Sequence, residues 1–294
     1  MNDRAASGDL LPADLTMAEV TLHVADLGLM SAYYRDALVL NELKRTDNTS
    51  VLGRDIPLIV LRHAPGLPTP GRQEAGLFHT ALLFDTRADL ATALFSAIRH
   101  PQSRFTGSAD HLVSEAFYFT DPEGNGIELY WDRPRTEWMW QGKTVAMDTI
   151  YLDPVQFLET HLPNSQTQIE RANVGHVHLQ VGDPKVAQNF YVDVLGFETT
   201  ATFHGAVFVS AGGYHHHMAM NAWNSSGAGP RAATLGLARV DITLPKRTDL
   251  DAVSERLKHY QISVADDGAE LSFLDPWNNP IAIRTPEKVV SVTL

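Results

Sequence analysis

The sequence predicts an α+β fold: four βαβββ units paired into two tandem domains of curled mixed sheet. The first observation behind this is an internal repeat. Val24-Ala25-Asp26-Leu27 and Tyr33-Tyr34-Arg35-Asp36-Ala37-Leu38 are echoed by Val181-Gly182-Asp183-Pro184 and Phe190-Tyr191-Val192-Asp193-Val194-Leu195, with Asp26 and Asp183 157 residues apart. The second is another pair of echoes. Arg87-Ala88-Asp89-Leu90 matches Arg247-Thr248-Asp249-Leu250, and Asp121-Pro122 with Asn125 matches Asp275-Pro276 with Asn279. The third is that each repeated stretch reads as strand, helix and then several strands, which is neither an all-β pattern nor a doubly wound one.

The elements follow in order. Residues 1–15 read as a disordered leader. Glu19–Val24 alternates, with Val20, Leu22 and Val24 on one face and Glu19, Thr21 and His23 on the other, which is the period of a strand. Asp26 is placed to cap a helix running through Leu38, because its carboxylate can accept from amide groups that have no intrahelical partner. Asp55–Leu61 is a short apolar strand, and the Pro/Gly-rich Pro65–Gly71 breaks the chain. The second unit has strand Leu77–Phe84, a helix over Ala88–Ile98, strand Glu115–Phe119, a turn at Asp121–Gly126 and strand Ile127–Trp131. A linker with Pro134, Trp138, Trp140 and a helix near Val155–His161 separates the halves, giving domains 1–134 and 172–294 around a linker at 135–171. The third unit opens with strand Val174–Val181. Asp183 caps its helix and Pro184 sits in the first turn, where its missing N–H costs nothing. Strand Phe203–Ser210, a turn at Gly212-Gly213, strand Tyr214–Ala222 and the loop Asn224–Pro230 follow. The fourth unit has strand Leu237–Leu244, a helix near Leu250–Tyr260, and strands Glu270–Phe273 and Ile281–Arg284.

The composition limits the function. A net charge of −12 argues against surfaces for nucleic acid or anionic membranes, both of which select basic patches. No apolar run is long enough to span a bilayer, and the N-terminus lacks the basic-then-apolar pattern of a secretory signal, so the expected location is cytoplasmic. With no cysteine, any metal must be held by the 13 histidines and by carboxylates. Gly-rich phosphate loops, a GxSxG elbow and a helical H-E-x-x-H pair are absent from the sequence.

Asp121-Pro122-Glu123-Gly124-Asn125-Gly126-Ile127-Glu128 resembles the terminal-strand motif of the vicinal oxygen chelate superfamily, which groups glyoxalases, bleomycin-resistance proteins and extradiol dioxygenases. Gly175-His176-Val177-His178 followed by Phe190 to Phe197 resembles it too. The run Tyr214-His215-His216-His217 before Asn221-Ala222-Trp223, and the segment Asp110 to Ala116, are similar to the CatE-like catechol 2,3-dioxygenase branch. The resemblance covers roughly residues 17–134 and 172–286. It implies curled cups of paired βαβββ units, a metal between two units, and a ligand from the first and last strand of a unit.

Carried onto this chain, that pattern is uneven. Unit one has Glu19 where His176 stands in unit three. Unit two offers His79 and Glu128, and unit three offers His176 and the histidine run. Unit four has Arg239 opposite His79 and Ala282 opposite Glu128, so it offers no ligand. In familiar extradiol enzymes the C-terminal pair of units carries all three ligands, which is not open to this chain. A cup shared by units two and three would restore a set of two histidines and one carboxylate, as in non-haem Fe(II) oxygenases. The expected metal ligands are therefore His79, Glu128 and His176, although a lone strand histidine is commonly a core residue and a strand glutamate commonly faces solvent.

The resemblance further implies an Fe(II)-dependent extradiol dioxygenase taking a small aromatic substrate and O₂. Mn, Ni or Zn is kept as the metal of a glyoxalase-like isomerase, and a non-catalytic binding protein as a third reading; self-association into a homo-oligomer is left open. Acid/base duty falls to His217, His178 and His111. If the histidine run is a strand, alternation puts His215 and His217 on one face, and His217 is the inward choice, able to serve as a fourth ligand. His111 reads equally as a base or a loop residue. Phe78, Phe117, Tyr130 and Trp223 are the candidates for an aromatic ring pocket, with core packing as the other explanation of each.

Overall fold

The computed structural model describes residues 10–164 and 169–286. It consists of two eight-stranded mixed sheets with helices packed against them. Each sheet is assembled across the sequence halves, uniting units one and four in one case and two and three in the other.

In the first sheet, unit four supplies Val264–Asp266, Glu270–Leu274, Pro280–Arg284 and Gly236–Thr243, in that spatial order. Unit one continues it with Thr16–Val24, Pro57–His63, Thr49–Gly53 and Asn41–Arg45. The second sheet runs Glu198–Phe203, Ala206–Ser210, Met218–Asn221 and Ala172–Gln180 from unit three. Gly76–Phe84, Gly126–Asp132, Ser114–Thr120 and Arg104–Asp110 from unit two complete it. The seam of each sheet is the antiparallel pairing of two first strands: Thr21 faces Arg239, and His178 faces His79. Within a unit the first and last strands run parallel, with Ala81 beside Glu128 and Val177 beside Met218. First- and last-strand residues of two units therefore meet at the centre of one sheet.

The helices form where the capping signals stand. Asp26 caps Leu27–Asp36, accepting from the Leu29 amide, and Asp183 caps Pro184–Gln188, accepting from the Lys185 amide. The third-unit helix then widens into a π-turn over Asn189–Val194. The other helices are Arg87–Arg99, Pro154–His161 and Arg247–His259. The Tyr/Asp echoes of the sequence are hydrogen bonds. Tyr34 donates to Asp121 at 3.0 Å and Tyr191 to Asp275 at 3.1 Å, tying the helix of one unit to the last turn of the next. Each aspartate also accepts from backbone amides of its own turn and from Asn125 or Asn279. Burial nevertheless pushes Asp121 up to about 6. One hydrophobic core runs through both sheets and the helices.

Several expected elements are corrected. Residues 10–15 of the expected leader are ordered: Leu11 and Leu15 are buried in the core, and the Leu11 amide donates to the Gly196 carbonyl. The remainder of that leader lies outside the described residues. Glu198–Phe203 and Ala206–Ser210 are two strands rather than one. The strand read over Tyr214–Ala222 covers only Met218–Asn221, because Gly212 and Gly213 adopt φ of 65° and 66° and the chain re-enters the sheet late. Asn41–Arg45, Arg104–Asp110, Glu198–Phe203 and Val264–Asp266, absent or merged in the sequence reading, are the outermost strands of the two sheets. Among the described residues no helix is long and apolar enough to cross a membrane.

Candidate metal centre and its cavity

The seam of the second sheet carries the functional cluster. His79 and His178 are cross-strand partners, and His176 is opposite Ala81, itself beside Glu128. A bulge between Val174 and His176 shifts the register there. Gly175 sits in it for a steric reason: a Cβ on this residue would stand 1.6 Å from the Tyr130 hydroxyl oxygen. Tyr130 in turn lies against the His176 ring, with centroids 4.9 Å apart.

The expected triad comes together. His79 Nε2 is 2.9 Å from Glu128 Oε2, His176 Nε2 is 3.1 Å from the same oxygen, and the two Nε2 atoms are 3.4 Å apart. All three residues are buried. Donors about 2.1 Å from one ion stand about 3.0 Å apart at right angles and about 3.4 Å apart at the tetrahedral angle. The spacing therefore fits a single divalent ion. The charge state agrees. Burial alone would raise Glu128, but His176 and His79 hold its carboxyl well below the usual range. Burial lowers His176 to about 4, against the opposing pull of Glu128, so its ring is neutral at pH 7. Without an ion, an Nε2–H of either imidazole donates to Glu128 Oε2, since a carboxylate only accepts. With an ion bound, the Nε2 lone pairs would face it and the His176 proton would sit on Nδ1, a buried atom with no hydrogen-bond partner.

The cluster forms one end of a cavity of about 610 Å³. Phe78 and Trp223 line it, as expected, and Phe203, Phe208, Tyr118 and His216 join them. Phe117 and Tyr130 do not. Phe117 points to the opposite side of its strand from Tyr118 and lies in the main core, while Tyr130 is sealed behind His176. The linker is also part of the site: Met147, Asp148 and Thr149 line the cavity, and Asp110 and Ile150 exchange backbone hydrogen bonds that hold the segment there.

The acid/base candidates fall in different places. His178 lines the cavity, and its Nε2 accepts from the Asn221 amide at 2.9 Å; burial pushes its pKa well down. His111 also lines it. Its Nδ1 donates to the Asp148 carbonyl at 2.7 Å, so in the neutral ring Nε2 accepts from the Tyr118 hydroxyl at 2.6 Å. Tyr118 reaches Glu128, and burial followed by that carboxylate's charge raises its pKa well above the ordinary value. His217 turns away from the cavity. Its Nδ1 is 2.9 Å from Ser210 Oγ, its ring packs on Tyr214, and burial drops its pKa to about 3. The inward histidine of the run is His216, whose ring centroid is 4.1 Å from that of His176. Strand alternation fails as a guide because the run precedes the strand.

His216 was reachable from the sequence only as one of three neighbours, and Tyr118 only through strand phase relative to Glu128. Behind His216 stands a hydrogen-bonded chain. Asp132 Oδ1 accepts from His215 Nε2 at 2.8 Å, and His215 Nδ1 is 2.7 Å from His216 Nδ1. A carboxylate can only accept, so in the neutral pair His215 Nδ1 is the acceptor and His216 keeps an Nε2 lone pair.

The first sheet has the same geometry and the opposite content. Where the second sheet has His79, His176 and Glu128, it has Arg239, Glu19 and Ala282. Arg239 pairs with Asp241 at 2.7 Å and with Glu270 at 2.9 Å, while Arg284 pairs with Glu19 at 2.5 Å. Guanidinium groups occupy this centre, and among the described residues the only convergent ligand group is His79, Glu128 and His176.

Comparison with known proteins identifies the family. The model of the Glyoxalase/Bleomycin resistance protein/Dioxygenase superfamily matches residues 16–129 and 173–283. The chain is 36% identical over 267 residues to a catechol-2,3-dioxygenase of Bacillus subtilis (strain 168), covering 88% of this chain and 92% of that protein. Among solved structures, one from Bacillus subtilis aligns with a TM-score of 0.64 at 14% identity, covering 92% of this chain and 84% of the other. Glyoxalase I from Zea mays aligns at 0.58 and 15%, covering 92% of each. These two show the fold. With two matched repeats spanning most of its length, the chain belongs to the Glyoxalase/Bleomycin resistance protein/Dioxygenase superfamily.

Proposed function

We propose that the protein is a metal-dependent extradiol dioxygenase that cleaves the ring of a catechol with O₂, using His79, Glu128 and His176 as its metal ligands. The observation that carries the reading is the convergence of these three buried donors, two from one half of the chain and one from the other, at one end of a cavity lined by aromatic rings. The similarity to a catechol-2,3-dioxygenase supports it. Fe(II) bound by this set would supply redox chemistry with coordination positions left for a catecholate and O₂.

The chain's own residues account for the rest. Phe78, Phe208 and Trp223 hold a flat ring over the donors and exclude water. His216 Nε2, backed by His215 and Asp132, is placed to take a catechol hydroxyl proton. His111 and Tyr118 form a second proton path that ends beside Glu128. His178, fixed by Asn221, sits between His79 and the aromatic wall as a polar contact for the substrate. A glyoxalase-like reading calls for a fourth protein ligand, and the residue suggested for it, His217, is engaged with Ser210 instead. The test is anaerobic reconstitution with Fe(II), followed by admission of O₂ in the presence of a catechol panel. Stoichiometric O₂ uptake with appearance of a yellow ring-fission product is expected. Tight Fe(II) binding with no uptake on any catechol would overturn the assignment.

A further inference from the structure

The walls of the cavity bear on which catechol enters it. About 610 Å³ is far more than one ring needs and lies within the roughly 300–1,000 Å³ of sites for drug-sized ligands. The excess space is lined by ring edges. Phe208 packs edge-on against His216 and Phe203, with centroids 5.0 Å and 5.4 Å apart. Phe78 packs edge-on against Trp223 at 5.5 Å. Phe203 and Trp223 are 44% and 51% exposed, so this aromatic wall continues out to the mouth. Met147 and Val113 add apolar surface.

The charge inventory is one-sided. Among the described residues lining the cavity none is lysine or arginine, while Asp148 adds a carboxylate besides Glu128. The nearby arginines are engaged elsewhere: Arg133 with Asp110 and Glu115, and Arg87 with Glu115. A carboxylate on the ring substituent would lie against aromatic edges and near Asp148, with no lysine or arginine on the wall to pair it, which is costly.

We infer that the protein takes uncharged catechols bearing an apolar or aryl substituent and discriminates against carboxylated ones. This rests on the catechol reading above and goes further by naming the class that the walls select.

The test is anaerobic calorimetry on Fe(II)-loaded protein with two near-isosteric ligands, 3-butylcatechol and 3-(2,3-dihydroxyphenyl)propanoate. Binding is read directly, without turnover. The butyl compound is expected to bind at least about ten-fold tighter, a gap of about 1.4 kcal/mol. In Asp148→Asn the propanoate should gain affinity more than the butyl compound does, and Thr149→Arg, on the exposed rim, should narrow or reverse the gap. Equal or tighter binding of the propanoate to the unaltered protein would overturn the inference and leave the catechol reading standing. Failure of both ligands to bind protein that demonstrably holds its metal would overturn the catechol reading, and this inference with it.

Discussion

At the scale of residues, Glu128 is the position on which the centre turns, because both imidazoles lie within hydrogen-bond distance of its Oε2. Glu128→Ala leaves two neutral imidazoles, which hold a hard ion poorly. Metal content after reconstitution should fall by at least about ten-fold, the lower end of what even an outer-shell change costs. The circular dichroism of the fold should be retained, and full occupancy in the variant would refute the ligand set. His216→Gln should lower kcat by about 10²–10⁴-fold, the range for loss of a general base, with metal content unchanged. His217→Gln should cost much less in kcat, since its ring is held by Ser210 outside the cavity. If the two variants behaved the other way round, the assignment of the inward histidine would be wrong. The identity of these residue types was readable in the sequence. Which histidine of the run faces inward was not, because it depends on where the strand begins, and two left-handed glycines decide that.

At the scale of elements, the bulge at Gly175 sets the register of the seam. Gly175→Ala drives a Cβ into the Tyr130 hydroxyl, and overpacking of this kind typically costs about 1–3 kcal/mol. The melting temperature should drop, and adding Tyr130→Phe should recover part of the loss, since the hydroxyl is the nearest obstacle. No recovery would place the strain elsewhere. The buried histidines predict an acid dependence as well. His217 and His176 titrate at about 3 and about 4 in the fold, against 6.5 for a free imidazole. Between those values the unfolded chain binds more protons than the folded one, so stability is full above pH 6.5 and is lost as the pH falls toward 4. Each such group contributes about 1.4 kcal/mol per pH unit in that interval. Denaturant midpoints of metal-stripped protein should therefore decline steadily below pH 6.5; a flat profile would argue against neutral buried imidazoles. Central strands were legible as apolar, β-rich runs because they are buried along most of their length, as Ala172–Gln180 is. The outermost strands were not: Asn41–Arg45 is exposed along its whole length, and such a strand carries no alternation to read.

At the scale of the whole molecule, the proposed metal site belongs to neither half. His79 and Glu128 come from the first half and His176 from the second, and the sheets join units two with three and one with four. Expressed separately, residues 1–134 and 172–294 should each fail to bind Fe(II) stoichiometrically, and a mixture of the two should recover binding. Full-affinity binding by the N-terminal piece alone would show that His176 is dispensable. The other cup has its centre filled by the Arg239 and Arg284 ion pairs, so a single equivalent of metal per chain is expected.

The sequence by itself determined the unit structure, the capped helices, the residue types of the triad and the absence of ligands in unit four. These follow from local periodicity and from the repeat, which a linear chain displays directly. Ligand bookkeeping made a cup shared by units two and three one arrangement that would complete a triad, but the sequence did not determine the pairing. Tertiary structure decided what depends on through-space distance. It placed His79 against His176 across 97 residues of chain. It turned His216 inward and His217 outward, ordered part of the leader, and folded the linker over the cavity so that Met147 and Asp148 became part of its wall. Side-chain direction near a turn and the docking of an irregular segment are set by packing against distant residues, and these leave no period in the sequence.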